Sequence, residues 1–255
     1  MKSRLPYVRA FVVSPYLDIF AAVLILAVSV ARKFHETMYE NGEIIFNVSL
    51  NQISERMSEG AFPLGFVSII AAIFAVLSTR FIGKQSNIGN IIGVFTTITS
   101  GTIDYLFGNG SAIITYPITF TIMNFAAFKW AKGEVIRKID LQYYIIILAG
   151  LILGFGLVYL GAGLFGGKTD FLFLNIVSIT FGLSIGGNIS SALKYEQTWL
   201  SWVIYNLVQL VKSVLQANLA NVAKYTFYLI NSSFLNLIHG RRGQKSLLLE
   251  PPMYT

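Results

Sequence analysis

Cysteine is absent from all 255 residues, which excludes disulfides, thiolate nucleophiles and thiolate-held metals. Histidine is nearly absent: His35 and His239 lie outside or at the edge of the apolar segments, so no histidine-based metal or catalytic centre is expected within them. Charge is the third scarcity. Charged residues are 12% of the chain, against about a quarter in soluble globular proteins. The net charge of +7 does not point to nucleic acid, because the basic residues are divided among short connections without a continuous patch. No cofactor is implied.

What is present is apolar. Hydrophobic residues make up 55% of the chain and the mean hydropathy is +0.64. They gather in stretches of about 20, the length that crosses a hydrocarbon core of about 30 Å. Eight spans can be read, at about 16–31, 62–82, 88–107, 112–130, 141–160, 171–192, 199–217 and 222–239. The expected fold class is an all-α membrane protein with eight transmembrane helices, embedded in a lipid bilayer. Ser14-Pro15 reads as the N-cap and first turn of the first helix. Asp18 reads as a first-turn carboxylate favoured by the helix dipole. No small-residue cleavage site follows the first stretch, so a retained helix is expected rather than a signal peptide.

Lysine and arginine are distributed unevenly about these spans. An even count puts both termini on one side, which then collects thirteen basic residues, including Arg80, Lys84 and Lys194. The opposite side has four: Arg32, Lys33, Arg56 and Lys168. The positive-inside rule therefore places both termini in the cytoplasm. Lys212 and Lys224 fall within spans, towards the outer end, where long stems can snorkel to headgroups. The polar connection 33–61 carries five glutamates with Ile44, Ile45, Val48 and Ile53 interleaved. It reads as an amphipathic helix lying on the external face. The tail after His239 is basic, contains Pro251-Pro252 and is expected to be loosely ordered.

A shift of 110 positions lays spans two to four onto spans six to eight without a gap: Val67-Ser68-Ile69 on Val177-Ser178-Ile179, Lys84 on Lys194, Gly133 on Gly243. One extra span separates the copies, so both run in the same direction, a parallel-repeat architecture with its site at the repeat interface. The expected organisation is an N-terminal helix with the external segment (1–61), a first three-helix repeat (62–133) and a linker helix (134–168). A second repeat (169–243) and a cytoplasmic tail (244–255) follow.

Polar residues inside the spans fall on stripes. Trp199, Trp202, Asn206, Gln209, Ser213 and Gln216 recur at steps of three and four, which places them on one helix face. Asn221, Lys224, Tyr228 and Asn231 repeat the rhythm in the last span, and the short turn at Asn218 makes the two helices antiparallel neighbours. Span three offers Asn90, Gly93, Thr97, Ser100 and Asp104; span four offers Thr121 and Asn124, with Pro117 expected to loosen the helix nearby. Single Ser and Thr groups read as interhelical hydrogen bonds, as Gly182, Gly186 and Gly187 read as close helix contact. Trp199 reads equally as an interfacial anchor. The facing cluster of Trp202, Asn206 and Gln209 with Lys224, Tyr228 and Asn231 exceeds what packing requires and reads as a solute site, with Thr121 and Asn124 counted among its substrate-binding positions.

At these residues the chain resembles the PnuC family of bacterial vitamin-precursor transporters. The resemblance rests on Gly83-Lys84-Gln85-Ser86-Asn87, on Met123-Asn124-Phe125 and Trp130, and on the run from Lys194 to Asn206, continuing to Lys224-Tyr225 and Asn231. It implies SWEET-like triple-helix repeats in a 3+1+3 arrangement after the first helix. It also implies a bacterial inner membrane, import of nicotinamide riboside by facilitated diffusion, and trapping by a cytoplasmic kinase. Trp202, Asn206, Tyr228 and Asn231 would be the carried-over site positions; Asn124 stands where the family pattern has Gln. Thiamine and riboflavin remain alternative substrates, and a homo-oligomer remains open. A membrane-embedded enzyme would need a base, nucleophile or metal set at mid-depth, and the spans supply none, so no enzyme is expected.

Overall fold

The computed structural model describes residues 14–84, 86–132, 137–195 and 198–240, with side chains except at 198–200 and 232–240. The side chain of Trp199, together with Gln85, Gly133, Glu196, Gln197, the first thirteen residues and the tail from Arg241, lies outside this description. Nine α-helices form among the described residues, eight of them between 17 and 25 residues long. They are α1 (Pro15–Ala31), the short α2 (Leu50–Ser58), α3 (Leu64–Gly83), α4 (Ile88–Leu106), α5 (Ala112–Ala131), α6 (Leu141–Phe165), α7 (Phe171–Ala192), α8 (Thr198–Leu215) and α9 (Leu219–Gly240). By length and hydropathy α3, α6 and α7 can each cross a membrane.

Local chemistry sets the helix ends. Asp140 and Asp170 side chains accept the backbone N–H of Tyr143 and Phe173, capping α6 and α7. Asn218 does the same for Asn221, so α9 begins at Leu219, earlier than hydropathy suggests. Pro117 sits inside an unbroken α5, where the Thr121 hydroxyl donates to the Pro117 carbonyl. The connection after α1 is not one amphipathic helix. It is a hairpin, β1 (Met38–Glu40) and β2 (Glu43–Ile45), followed by α2, whose Ile53 is buried with Met38 and Val48. Asn41 and Gly42 form its two-residue turn at φ 51° and 89°, the backbone that an Asn-Gly pair favours. The Glu40–Arg56 ion pair ties the hairpin to α2 at 2.7 Å.

The long helices close a ring. α3 packs on α4, α4 on α5, α5 on α7, α7 on α8, α8 on α9, and α9 returns to α3. α1 lies outside the α9–α3 seam and α6 outside the α5–α7 seam. Glycines set the closest approach. A Cβ at Gly154 of α6 would stand 2.6 Å from the Gly182 Cα of α7, so bare backbones meet there, as small residues permit in membrane bundles. Gly186 is also pressed against α6, whereas Gly187 faces the Trp202 ring instead.

Asp18 lies in the first turn of α1, as expected, and has a further role. It is buried, and its carboxylate accepts from Arg80 Nε and Lys84 Nζ of α3. Arg80 is 3% exposed and also donates to Asn231 Oδ1 at 2.6 Å. A buried guanidinium needs a counter-charge, and the first-turn carboxylate supplies it. α1 is thereby pinned to α3 and α9.

Candidate functional site

Along α4 the usual order is inverted: Asn90, Thr97 and Asp104 are buried, whereas Phe95 and Ile98 are 69% and 59% exposed. α1 and α6 also turn large apolar side chains outward, among them Phe20, Val23, Leu148 and Ile152. Apolar faces on this scale do not suit water. Polar groups in hydrocarbon must find protein or water, and here they turn inward.

Inside the ring lies a cavity of about 370 Å³, within the range of small-molecule sites. The full α4 stripe, Asn90, Gly93, Thr97, Ser100 and Asp104, lines it. From α8 come Trp202, Asn206 and Gln209, and from α9 Lys224, Tyr228 and Asn231, so these six expected positions share one chamber. The remaining two do not. Thr121 and Asn124 are exposed on the outer side of α5, bonded to the carbonyls of Pro117 and Phe120 in their own helix. The inward face of α5 is instead Thr115, Thr119, Met123, Ala126 and Trp130, at steps of three and four that pass the other two positions by. Asn124 in place of Gln therefore leaves the chamber wall unchanged.

Sequence reasoning also missed α7, which contributes Thr180, Ser184, Asn188 and Ser191. Their steps of four, four and three were a readable signal, hidden among the glycines. Tyr116, Tyr205 and Tyr225 complete the wall.

Rings run continuously along one side. Trp202 meets Tyr205 edge-on at 5.0 Å, Tyr205 meets Tyr225 at 6.4 Å, and Tyr225 meets Tyr228 at 5.7 Å. Gly187 gives the Trp202 ring its seat: a Cβ there would lie 3.5 Å from the indole. Tyr228 accepts from the Thr79 hydroxyl at 3.0 Å. Gln209 donates to the Tyr205 hydroxyl at 2.7 Å; among the described residues its own Oε1 is buried without a partner, as is the Thr180 hydroxyl. At the α3–α4 end, Trp130 donates its indole N–H to the Ser191 carbonyl at 3.0 Å, with the Lys194 ammonium over its ring.

Lys212 and Lys224 do not snorkel. They are 4% and 5% exposed and face the chamber at the α8–α9 turn. Asp104 explains Lys212: its carboxylate accepts from Lys212 at 3.0 Å, from Asn109 at 2.6 Å and from Gln216 at 2.7 Å. A buried carboxylate with several donors holds its cation more firmly than headgroups would.

An apolar exterior around a polar, ring-walled chamber defines an integral membrane transporter for a small solute. The model of the nicotinamide mononucleotide transporter family matches residues 65–237, which takes in nearly the whole helical ring. The chain belongs to that family, one of transporters and not of enzymes. No curated protein matches it. Among solved structures it is similar to a crystal structure of the vitamin B3 transporter PnuC, with a TM-score of 0.58 and 14% sequence identity. The likeness covers 87% of this chain and 91% of the other, and it speaks for the fold.

Proposed function

We propose that this chain imports nicotinamide riboside across a bacterial inner membrane by facilitated diffusion, with cytoplasmic phosphorylation trapping the solute. The observation that carries the reading is the Trp202–Tyr205 ring pair gathered with Asn206 and Gln209 in one chamber. Nicotinamide riboside offers a flat cationic ring, a carboxamide and ribose hydroxyls. An indole face attracts a desolvated cationic ring by about 2 kcal/mol. Amides and hydroxyls pair with the carboxamide and sugar. Trp202, Asn206, Gln209, Tyr228 and Asn231 would hold the solute, with Lys224 at the far wall. The names of the matching family and of the similar structure both concern vitamin B3 chemistry.

Uncoupled transport is supported by Asp104, the carboxylate in the chamber wall, which is already saturated by Lys212, Gln216 and Asn109. The finer architecture belongs to the same proposal: eight spans, both termini cytoplasmic, and two parallel units each made of one helix and a triplet. Helices α3, α4 and α5 begin at 64, 88 and 112, and α7, α8 and α9 at 171, 198 and 219, close to a constant offset. α1 and α6, which precede the triplets, take equivalent places at opposite seams.

Calorimetry on the purified protein with nicotinamide riboside, thiamine and riboflavin side by side tests the substrate. Heat with the riboside alone is expected. Heat with thiamine or riboflavin and none with the riboside would reject the substrate assignment.

A further inference from the structure

Lys224 is an unmatched basic group at the α8–α9 end of the chamber. Its ammonium lies 4.4 Å from the centroid of the Tyr225 ring, and among the described residues no hydrogen bond or salt bridge is formed to it. The charged groups that act on it are Lys212 and Asp104. Asp104 carries one negative charge, and Lys212 already matches it at 3.0 Å. The α8–α9 end of the chamber therefore holds one surplus basic group, 5% exposed. A buried, unpaired charge is costly, and ionisable groups inside a membrane mark substrate sites.

The ammonium stands beside Tyr225 in the ring wall that runs from Trp202 through Tyr205 and Tyr225 to Tyr228. Asn221, one helical turn before Lys224, lines the same end and offers an amide. A ligand ring lying on this wall can carry a substituent to that ammonium. A single point charge beside an amide suits a monoanion; a phosphate dianion calls for more cations or the fork of an arginine.

Building on the proposed function, we propose that Lys224 and Asn221 form a carboxylate subsite. The chain would then take pyridine nucleosides with a ring carboxylate, nicotinic acid riboside, in preference to the carboxamide form. Carboxylate and phosphate share the anionic oxygen, and three ligands separate them. Affinities of nicotinamide riboside, nicotinic acid riboside and nicotinamide mononucleotide are measured by calorimetry on the wild-type protein, on Lys224→Met and on Lys224→Arg. The acid riboside is expected to bind about tenfold to a hundredfold more tightly than the amide riboside, the scale of one desolvated charge-assisted bond. That ratio should fall towards one in Lys224→Met and be retained in Lys224→Arg. A wild-type ratio at or below one overturns the subsite, as does a ratio unchanged in Lys224→Met. Strongest binding by the mononucleotide overturns the carboxylate assignment. Because the wild-type series stands alone, a variant that fails to fold leaves the proposal testable. Binding of the amide riboside without preference defeats this inference alone; no binding by any of the three defeats the proposed function with it.

Discussion

Trp202 and Asn206 place aromatic surface and an amide in the wall of an internal chamber. Trp202→Ala and Asn206→Ala are expected to abolish riboside binding in calorimetry while the purified proteins keep wild-type helical circular dichroism. Thr121→Ala and Asn124→Ala sit on the outer face of α5, bonded within their own helix. They should bind the riboside as the wild type does; a loss of affinity in either would mean that α5 presents its other side. At this scale the α4, α8 and α9 stripes were legible, because a polar residue every three or four positions in an apolar run marks a helix face turned away from lipid. The α5 face was not. Its inward residues include Met123 and Ala126, which carry no polar signal, while the two conspicuous polar residues satisfy themselves locally.

At the scale of elements, two kinds of joint hold the bundle. One is electrostatic: Asp18 of α1 against Arg80 and Lys84 of α3. Asp18→Asn leaves a buried guanidinium short of its counter-charge, which costs about 3–5 kcal/mol when a buried pair is broken. The expected readout is a clearly lower melting temperature in detergent; an unchanged one would show the pair to be dispensable. The other joint is steric. Gly154→Leu drives a side chain into the backbone of α7 at Gly182, an overpacking worth about 1–3 kcal/mol, and should also lower the melting temperature. Gly156, with open space around it, is the control, and Gly156→Leu should melt near the wild type. Helix spans were legible from hydropathy, but the joint at Asp18 was not, because its partners lie 62 and 66 residues away. The hairpin between α1 and α2 was missed for a different reason. Its strands have three residues each, too few for an alternation to register, although Asn41-Gly42 was a turn signal in plain view.

For the whole molecule the governing feature is the ring of six helices with polar side chains inside and apolar ones outside. Its closure follows from pairings, α5 with α7 and α9 with α3, that no local pattern encodes. The native absence of cysteine makes the ring directly testable, since any introduced thiol is the sole one present. Single-cysteine variants Thr97→Cys and Ser184→Cys place a thiol on the chamber wall, and Phe95→Cys and Ile98→Cys place one on the apolar exterior. The decisive measurement is the labelling rate with a small hydrophilic thiol reagent in proteoliposomes, with and without nicotinamide riboside. The wall positions should label, and the riboside should slow them, while the exterior positions stay unlabelled in either condition. Labelling at 95 and 98 but not at 97 and 184, or wall labelling indifferent to the riboside, would contradict a substrate chamber inside the ring.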